Sequence, residues 1–288
     1  MSKDGVLGKG FGVWRPTHPP RNLPPRNLPS GVPTRRPQDT IDPAMKRDAM
    51  VATKAPRVPW DEFLDNHFDW RRGEHLGCIG PTGQGKTTLL FNVLPLHPYT
   101  VVFGTKRRDE NMDAFVDSGY LRLDRWRSLD PRDHPRRVIW PHVENITEMV
   151  SVQKAVFRDA FQKIYAEGSW DLVIDEGYYV DEVLRLGDLL RLFYTQARSM
   201  QVSLVLATQR PAWVPVEVYD QSTHLFFWRD NDGRNLKRLQ EVSVRSSDVI
   251  RAIIPELEAH QVLYMNTRTG EMCRTRCPKI DLPAPERG

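Results

Sequence analysis

Gly80-Pro-Thr-Gly-Gln-Gly-Lys-Thr87 is the stretch that decides the fold, because it matches the pattern G-x-x-x-x-G-K-[ST]. An apolar segment at 75–80 precedes it, and helix-forming residues at 86–94 follow it. In this setting the loop's N–H groups form a concave anion site, and the helix adds its positive N-terminal end. We therefore predict a Walker A loop that binds the phosphates of ATP.

Each position of the loop has a predicted task. Gly80, Gly83 and Gly85 are expected to adopt positive φ and to let the backbone approach phosphate oxygens. Lys86 is expected to reach the β- and γ-phosphates, and the Thr87 hydroxyl to bind Mg²⁺. The residues predicted to bind the nucleotide are Gly80, Pro81, Thr82, Gly83, Gln84, Gly85, Lys86, Thr87 and Thr88.

A second motif is an apolar strand that ends in two carboxylates, Trp170-Asp-Leu-Val-Ile-Asp175-Glu176. This pattern is typical of a Walker B motif beside a phosphate-binding loop. We predict that Asp175 holds Mg²⁺ and that Glu176 orients or deprotonates the water that attacks the γ-phosphate. A second carboxylate at this position favours ATP hydrolysis over phosphoryl transfer to a small hydroxyl.

The segment Ala197-Arg198-Ser-Met-Gln-Val-Ser-Leu-Val-Leu-Ala-Thr208-Gln209-Arg210-Pro211 contains a third buried strand. In a parallel sheet this strand ends at the same edge as Asp175, so Gln209 is expected to face the nucleotide. Its amide can hydrogen-bond both the γ-phosphate and the attacking water. Arg198 precedes the strand and is predicted at the opposite edge, where it would serve a neighbouring subunit as an arginine finger. An ordinary surface or interface arginine is the alternative for Arg198.

Together these three motifs resemble, in type and in order, those of the HerA/FtsK superfamily of ring-forming DNA-pumping ATPases. The resemblance covers about residues 75–245 and is most specific in the segment 197–211. It implies a RecA-like fold, a hexameric ring around double-stranded DNA, and a site shared between subunits. The sequence shows neither a membrane-spanning segment nor a C-terminal winged-helix module, which are typical of chromosome-segregating members. In size the chain is closer to viral genome-packaging members.

Three consecutive basic residues, Lys106, Arg107 and Arg108, follow the second predicted strand and precede an acidic helix start, Asp109-Glu110. A loop there would hold DNA phosphates in a central pore, through contacts that are non-specific and sensitive to salt. A solvated run of charges is an equally good interpretation of these residues. The resemblance to the superfamily extends weakly to them, as the stretch Thr105-Lys-Arg-Arg108.

The first 59 residues differ in composition from the rest. Residues 1–60 contain 11 of the 23 prolines, with 11 Lys and Arg against 4 Asp and Glu. The chain's net charge of +4 therefore combines +7 in this segment with −3 in the remainder. We predict that residues 1–59 form an extended or disordered leader that docks a protein partner or tethers nucleic acid.

The remainder, 60–288, is predicted to be one α/β domain. Apolar strands alternate with amphipathic helices, which indicates a mainly parallel sheet covered on both faces. A C-terminal β-hairpin is expected at 261–275. Strands are predicted at 75–80, 99–103, 138–140, 172–174, 202–207 and 224–228, and helices at 60–68, 86–94, 149–167, 188–200, 235–242 and 247–259.

Composition excludes several classes of protein. The three cysteines are too few for a disulfide framework. The sequence contains no run of 18 apolar residues, so no membrane-spanning helix is predicted. We expect a cytoplasmic ATPase that translocates double-stranded DNA, in the host cytoplasm if its gene is viral. Two alternatives stay open: a P-loop kinase of a nucleotide or metabolite, and an assembly protein that uses ATP only as a switch.

Overall fold

The computed structural model describes residue 50 and residues 53–209, 215–242 and 247–280. Most of the predicted leader, and Arg210 and Pro211 of the third motif, lie outside these residues. The strands are β1 (His75–Ile79), β2 (Thr100–Phe103), β3 (Leu121–Leu123), β4 (Arg136–Ile139), β5 (Asp171–Ile174), β6 (Ser203–Thr208), β7 (Ser222–Trp228), β8 (Gln261–Asn266) and β9 (Met272–Arg276).

The helices that connect these strands vary from six to nineteen residues. They are α1 (Trp60–Asn66), α2 (Lys86–Val93), α3 (Glu110–Asp117), α4 (Met149–Glu167), α5 (Gly187–Gln196), α6 (Val216–Gln221), α7 (Gly233–Val242) and α8 (Ser247–Ile253). A π-helical turn, Tyr179–Val183, precedes α5, and a 3₁₀ turn, Ala197–Met200, follows it. Within the described part of the chain, no helix is both long and apolar enough to cross a bilayer.

All the strands belong to one sheet, in the order β3-β4-β2-β5-β6-β1-β7-β8-β9. The first seven strands of this order run parallel, whereas β8 is antiparallel to β7 and β9 is antiparallel to β8. The prediction of a mainly parallel sheet with a C-terminal hairpin is therefore confirmed. It also follows that β1, β6, β5 and β2 all end at the same edge.

Both faces of the sheet are covered, as a parallel sheet requires. Alternate residues of the buried strands point to opposite faces: Leu172 and Ile174 of β5 pack in one apolar cluster and Val173 in the other. The helices α4 and α5 cover the first face, and α1, α2 and α3 cover the second. The core thus holds the strand ends at fixed positions relative to one another.

Several segments of the described chain depart from the predicted elements. The predicted helix 188–200 ends at Gln196, because the chain tightens into the 3₁₀ turn and Gln201 then adopts φ 56° before β6. The strand β3 and the helix α6 were not predicted as elements, whereas α3 begins at the predicted helix start, Asp109-Glu110. Both unpredicted elements are short, and β3 is a three-residue edge strand whose residues do not form an apolar run.

The residues just before α1 are attached to the sheet. Ala55 is fully buried, Val58 N–H donates to Arg274 O at 2.8 Å, and Arg274 N–H donates to Pro56 O at 2.7 Å. The end of the predicted leader thus lies along β9. The division of the chain at residue 59 stays a prediction.

A buried polar cluster joins the chain just before β1 to the first residues of β7. Glu74 accepts a hydrogen bond from Arg71 N–H at 3.0 Å, and its Oε2 lies 3.1 Å from Nε2 of the fully buried His224. The other ring nitrogen of His224 lies 2.8 Å from the Tyr264 hydroxyl. Burial alone would raise the pKa of Glu74, but these hydrogen bonds and the charges of His224 and Arg268 lower it to about 2.

The lowered pKa of Glu74 predicts how stability depends on pH. The contacts of the ionised Glu74 carboxylate stabilise the folded protein. This stabilisation is fully present above the ordinary pKa of 4.5 and is lost as the pH falls towards about 2. We expect Glu74→Gln to reduce the free energy of unfolding at pH 7 by about 2 kcal/mol. Urea unfolding of both proteins from pH 7 to pH 3 should show this difference narrowing below pH 4.5. A difference that stays constant would contradict the assignment.

Candidate nucleotide-binding site

The loop between β1 and α2 has the backbone geometry of an anion site. Gly83 and Gly85 have φ values of 76° and 106°, and Gly85 caps the first turn of α2. A residue with a side chain would be strained at either position. The loop N–H groups and the N-terminus of α2 are therefore directed to one place.

Gly80 is needed for a different reason from the one predicted. It is not among the residues with positive φ, but a Cβ atom at this position would lie 2.6 Å from Cβ of Trp228. Trp228 is the buried last residue of β7. The backbone of β1 thus passes directly over Trp228, a contact between distant residues that no local pattern around Gly80 indicates.

Lys86 is folded back onto its own loop. Its Nζ donates to Gly80 O at 2.7 Å and to Pro81 O at 2.8 Å, and the side chain is buried. Burial lowers the pKa of Lys86, and the negative charges of Asp175 and Glu176 oppose this shift. Because β5 pairs with β6 and β6 with β1, all in parallel, the carboxylates that follow β5 lie at the same edge of the sheet as Lys86.

Asp175 follows β5 directly and lies among charged groups. Burial raises the pKa of Asp175, and the negative charge of Asp109 raises it further. The positive charges of Lys106 and Lys86 and a hydrogen bond from the Asn111 side chain act in the opposite direction. Asp109 caps α3 and Asn111 lies in its first turn. The sequence predicts this helix start, but no local pattern indicates that it lies beside Asp175.

The donor set fits a magnesium–triphosphate. Mg²⁺ is usually held by one or two carboxylates together with phosphate oxygens and water. Asp175 and the Thr87 hydroxyl on α2 supply hard oxygen donors, and among the described residues no cluster of three or more His, Cys, Asp or Glu could hold a metal by itself. Metal binding would therefore depend on phosphates held by the loop of residues 80–88.

Gln209 contacts the phosphate-binding loop. Its Oε1 accepts a hydrogen bond from the Thr82 hydroxyl at 2.7 Å. Register explains this position, because Thr208 pairs with Ile79, so that β6 and β1 end side by side. The structure thus brings Gln209 together with Lys86 and Asp175 at one edge, and the sensing role of Gln209 stays a prediction.

Arg198 lies at the opposite edge of the sheet. It is exposed, and it belongs to the 3₁₀ turn that precedes β6. Its backbone packs on Gly73, where an added Cβ would lie 2.9 Å from Arg198 O. Arg198 is therefore remote from the nucleotide site of its own chain, the position that the sequence predicts for a residue acting on a neighbouring subunit.

The basic residues after β2 are exposed but differ in their surroundings. Lys106 Nζ lies 3.4 Å from Asp109 Oδ2, on the side of Asp175. Arg107 lines a surface pocket together with Arg122 and His142. These residues therefore do not form one uniform charged loop.

Comparisons with known proteins agree with this architecture. No protein-family model matches the sequence, and no curated protein matches it. The structure resembles the DNA-packaging ATPase B204 of Sulfolobus turreted icosahedral virus, with 16% identity, a TM-score of 0.55, and 73% of this chain and 100% of that chain covered.

A second similar structure is the genome packaging NTPase B204 of Sulfolobus turreted icosahedral virus 2 in complex with AMPPCP. It has 15% identity and a TM-score of 0.53, and the match covers 72% of this chain and 98% of that chain. At such identities the likeness concerns the fold alone. The chain has a RecA-like P-loop NTPase fold, as these structures do, which confirms the fold predicted from its motifs.

The close approach of Gly80 to Trp228 gives a test of the site. Gly80→Ala should lower the free energy of unfolding by about 1–3 kcal/mol, because an extra methyl group must displace β1 or β7. Affinity for ATP should also fall, since the loop begins at Gly80. Gly233→Ala is the matched control, because nothing lies within 4 Å of its added Cβ. Thermal unfolding and an ATP titration measure both effects, and equal behaviour of the two variants would refute the packing argument.

Proposed function

We propose that this chain is an ATP-hydrolysing motor that translocates double-stranded DNA in the cytoplasm, for the packaging or transfer of a viral or mobile-element genome. The observation that carries this proposal is the meeting of Lys86, Asp175 and Gln209 at one edge of the sheet. The shared fold with B204 proteins supports the DNA part, because those structures are described as genome- or DNA-packaging enzymes.

Each residue of the site has a separate role in ATP hydrolysis. The loop of residues 80–88 binds the phosphates, and Lys86 exchanges its two carbonyl partners for phosphate oxygens. Thr87 and Asp175 would hold Mg²⁺, which would supply positive charge to neutralise charge that develops on the phosphates. Glu176 orients and deprotonates the attacking water. Gln209 exchanges its bond with Thr82 for one to the terminal phosphate or the water.

Arg198 is the proposed contribution of one subunit to the next. An arginine near the γ-phosphate stabilises charge in the transition state, and Arg198 lies at the far edge of its own sheet. A ring in which the edges of neighbouring sheets face each other would bring Arg198 to a neighbour's nucleotide. Six subunits are expected from the resemblance to the HerA/FtsK superfamily.

The proposed DNA contacts lie at the same edge as the nucleotide. Arg107 and Arg108 are exposed directly after β2, and Arg122 and His142 share a pocket with Arg107. Such a group would bind phosphates without reading sequence, and its affinity would fall steeply with salt. The leader, residues 1–59, is proposed to bind a protein partner or DNA.

Two substitutions test the assignment of the hydrolytic site. Lys86→Ala should lose ATP binding, and Glu176→Gln should still bind ATP but lose at least about 100-fold in turnover. Glu182→Gln, at an exposed position of the π-helical turn, is the matched control. Turnover is measured with and without duplex DNA. Unchanged turnover in both site variants would exclude these residues as the hydrolytic site. If duplex DNA does not change the turnover of the unaltered protein, a kinase or a switch is favoured.

Mixing experiments test whether Arg198 acts between subunits. Arg198→Ala alone should lose about 10³-fold or more in turnover, as expected for an arginine finger. Mixing it with Lys86→Ala should restore activity, because the second variant still supplies Arg198 to a neighbour's intact site. Arg158→Ala, at an exposed position of α4, is the control and should stay active alone. If the mixture stays inactive, Arg198 does not act in trans.

A further inference from the structure

Lys106, which is predicted to bind DNA, belongs to a loop that starts beside the proposed ATP site. The strand β2 pairs directly with β5, and Phe103 lies opposite Ile174. The chain leaves β2 three residues before Lys106 and leaves β5 one residue before Asp175. The loop of residues 104–109 therefore starts beside the acidic end of β5.

Two side chains fix the backbone of this loop. Trp140 Nε1 donates to Lys106 O at 2.6 Å, and the buried Gln153 donates to Thr105 O at 2.8 Å. Gln153 in turn accepts a hydrogen bond from the hydroxyl of Tyr179, at the start of the π-helical turn after Glu176. The loop is thus held between the acidic strand end and α4, and the Lys106 side chain is its movable part.

The partner of Lys106 is itself buried. The side chain of Asp109 is 6% exposed, whereas that of Lys106 is 51% exposed. One oxygen of Asp109 accepts from Asn111 N–H and caps α3, and the other lies 3.4 Å from Lys106 Nζ. Because the ammonium group is half exposed and lies 3.4 Å from Asp109, Lys106 can leave this partner for water or for another anion at little cost.

Lys106 also belongs to the same electrostatic neighbourhood as the residues of the site. Its positive charge lowers the pKa of both Asp175 and Lys86, although burial is the largest influence on each group. Two ammonium groups and two carboxylates, those of Asp109 and Asp175, therefore balance one another here. A bound triphosphate would add negative charge to this set and attract the more exposed ammonium, that of Lys106.

We propose that Lys106 is a residue of the nucleotide site, whose ammonium leaves Asp109 and contacts the terminal phosphate of a bound nucleoside triphosphate. This inference rests on the proposed function, because it adds a residue to that ATP site. Lys106 then distinguishes a triphosphate from a diphosphate.

The test compares the binding of AMPPCP and of ADP by titration calorimetry, which needs no hydrolysis. Lys106→Ala should weaken AMPPCP binding about 10-fold or more, the usual loss for a hydrogen bond to a charged group, and ADP binding less than about 2-fold. Lys106→Arg should retain most of the difference between the two nucleotides. The control Lys163→Ala, at an exposed position of α4, should change neither affinity.

Two results would overturn the inference. One is equal weakening of AMPPCP and ADP by Lys106→Ala, or no weakening of either. The other is a Lys106→Ala protein that binds AMPPCP as before but whose DNA affinity depends less on salt, by about one phosphate contact. That result would make Lys106 a DNA ligand. The motor proposal fails separately, if the unaltered protein binds AMPPCP but does not hydrolyse ATP. An unaltered protein that does not bind AMPPCP would refute both.

Discussion

The parallel alignment of β1, β6, β5 and β2 is the constraint on which the site depends. Each of these strands contributes one loop to the same edge: the phosphate-binding loop, Gln209, the two carboxylates, and the loop with Lys106. Side chains as far apart in the chain as those of Thr82 and Gln209, 127 positions, meet at this edge. Helices packed on both faces hold the strand ends in register.

The balance of charge at this edge follows from burial. Burial opposes the charged form of Lys86 and also that of Asp175, and the two groups stabilise each other's charge. Asp109, on α3, adds negative charge, and Lys106 compensates for it. The free site thus contains oppositely charged groups that share partners within the protein. Phosphates and a metal ion can replace these partners without leaving buried charges unpaired.

Local patterns were sufficient to predict the two nucleotide motifs and the fold class. The phosphate-binding loop and the acidic strand end depend on residues that are adjacent in sequence, and the alternation of strands and helices indicates a parallel sheet. Residues joined only by tertiary packing could not be found in this way. Trp228 beneath Gly80, and Asp109 beside Asp175, depend on which strands become neighbours. The role of Gly80 was misjudged for the same reason.

The two outer strands of the sheet have consequences for assembly. At one side, β3 is only three residues long, and at the other, β9 is bonded to the backbone of residues 56–58, which includes a proline without an N–H group. Short or covered borders of this kind do not accept a strand from another molecule. We therefore expect copies of this protein, where they associate, to meet through side chains and not through a continuous hydrogen-bonded ladder between strands.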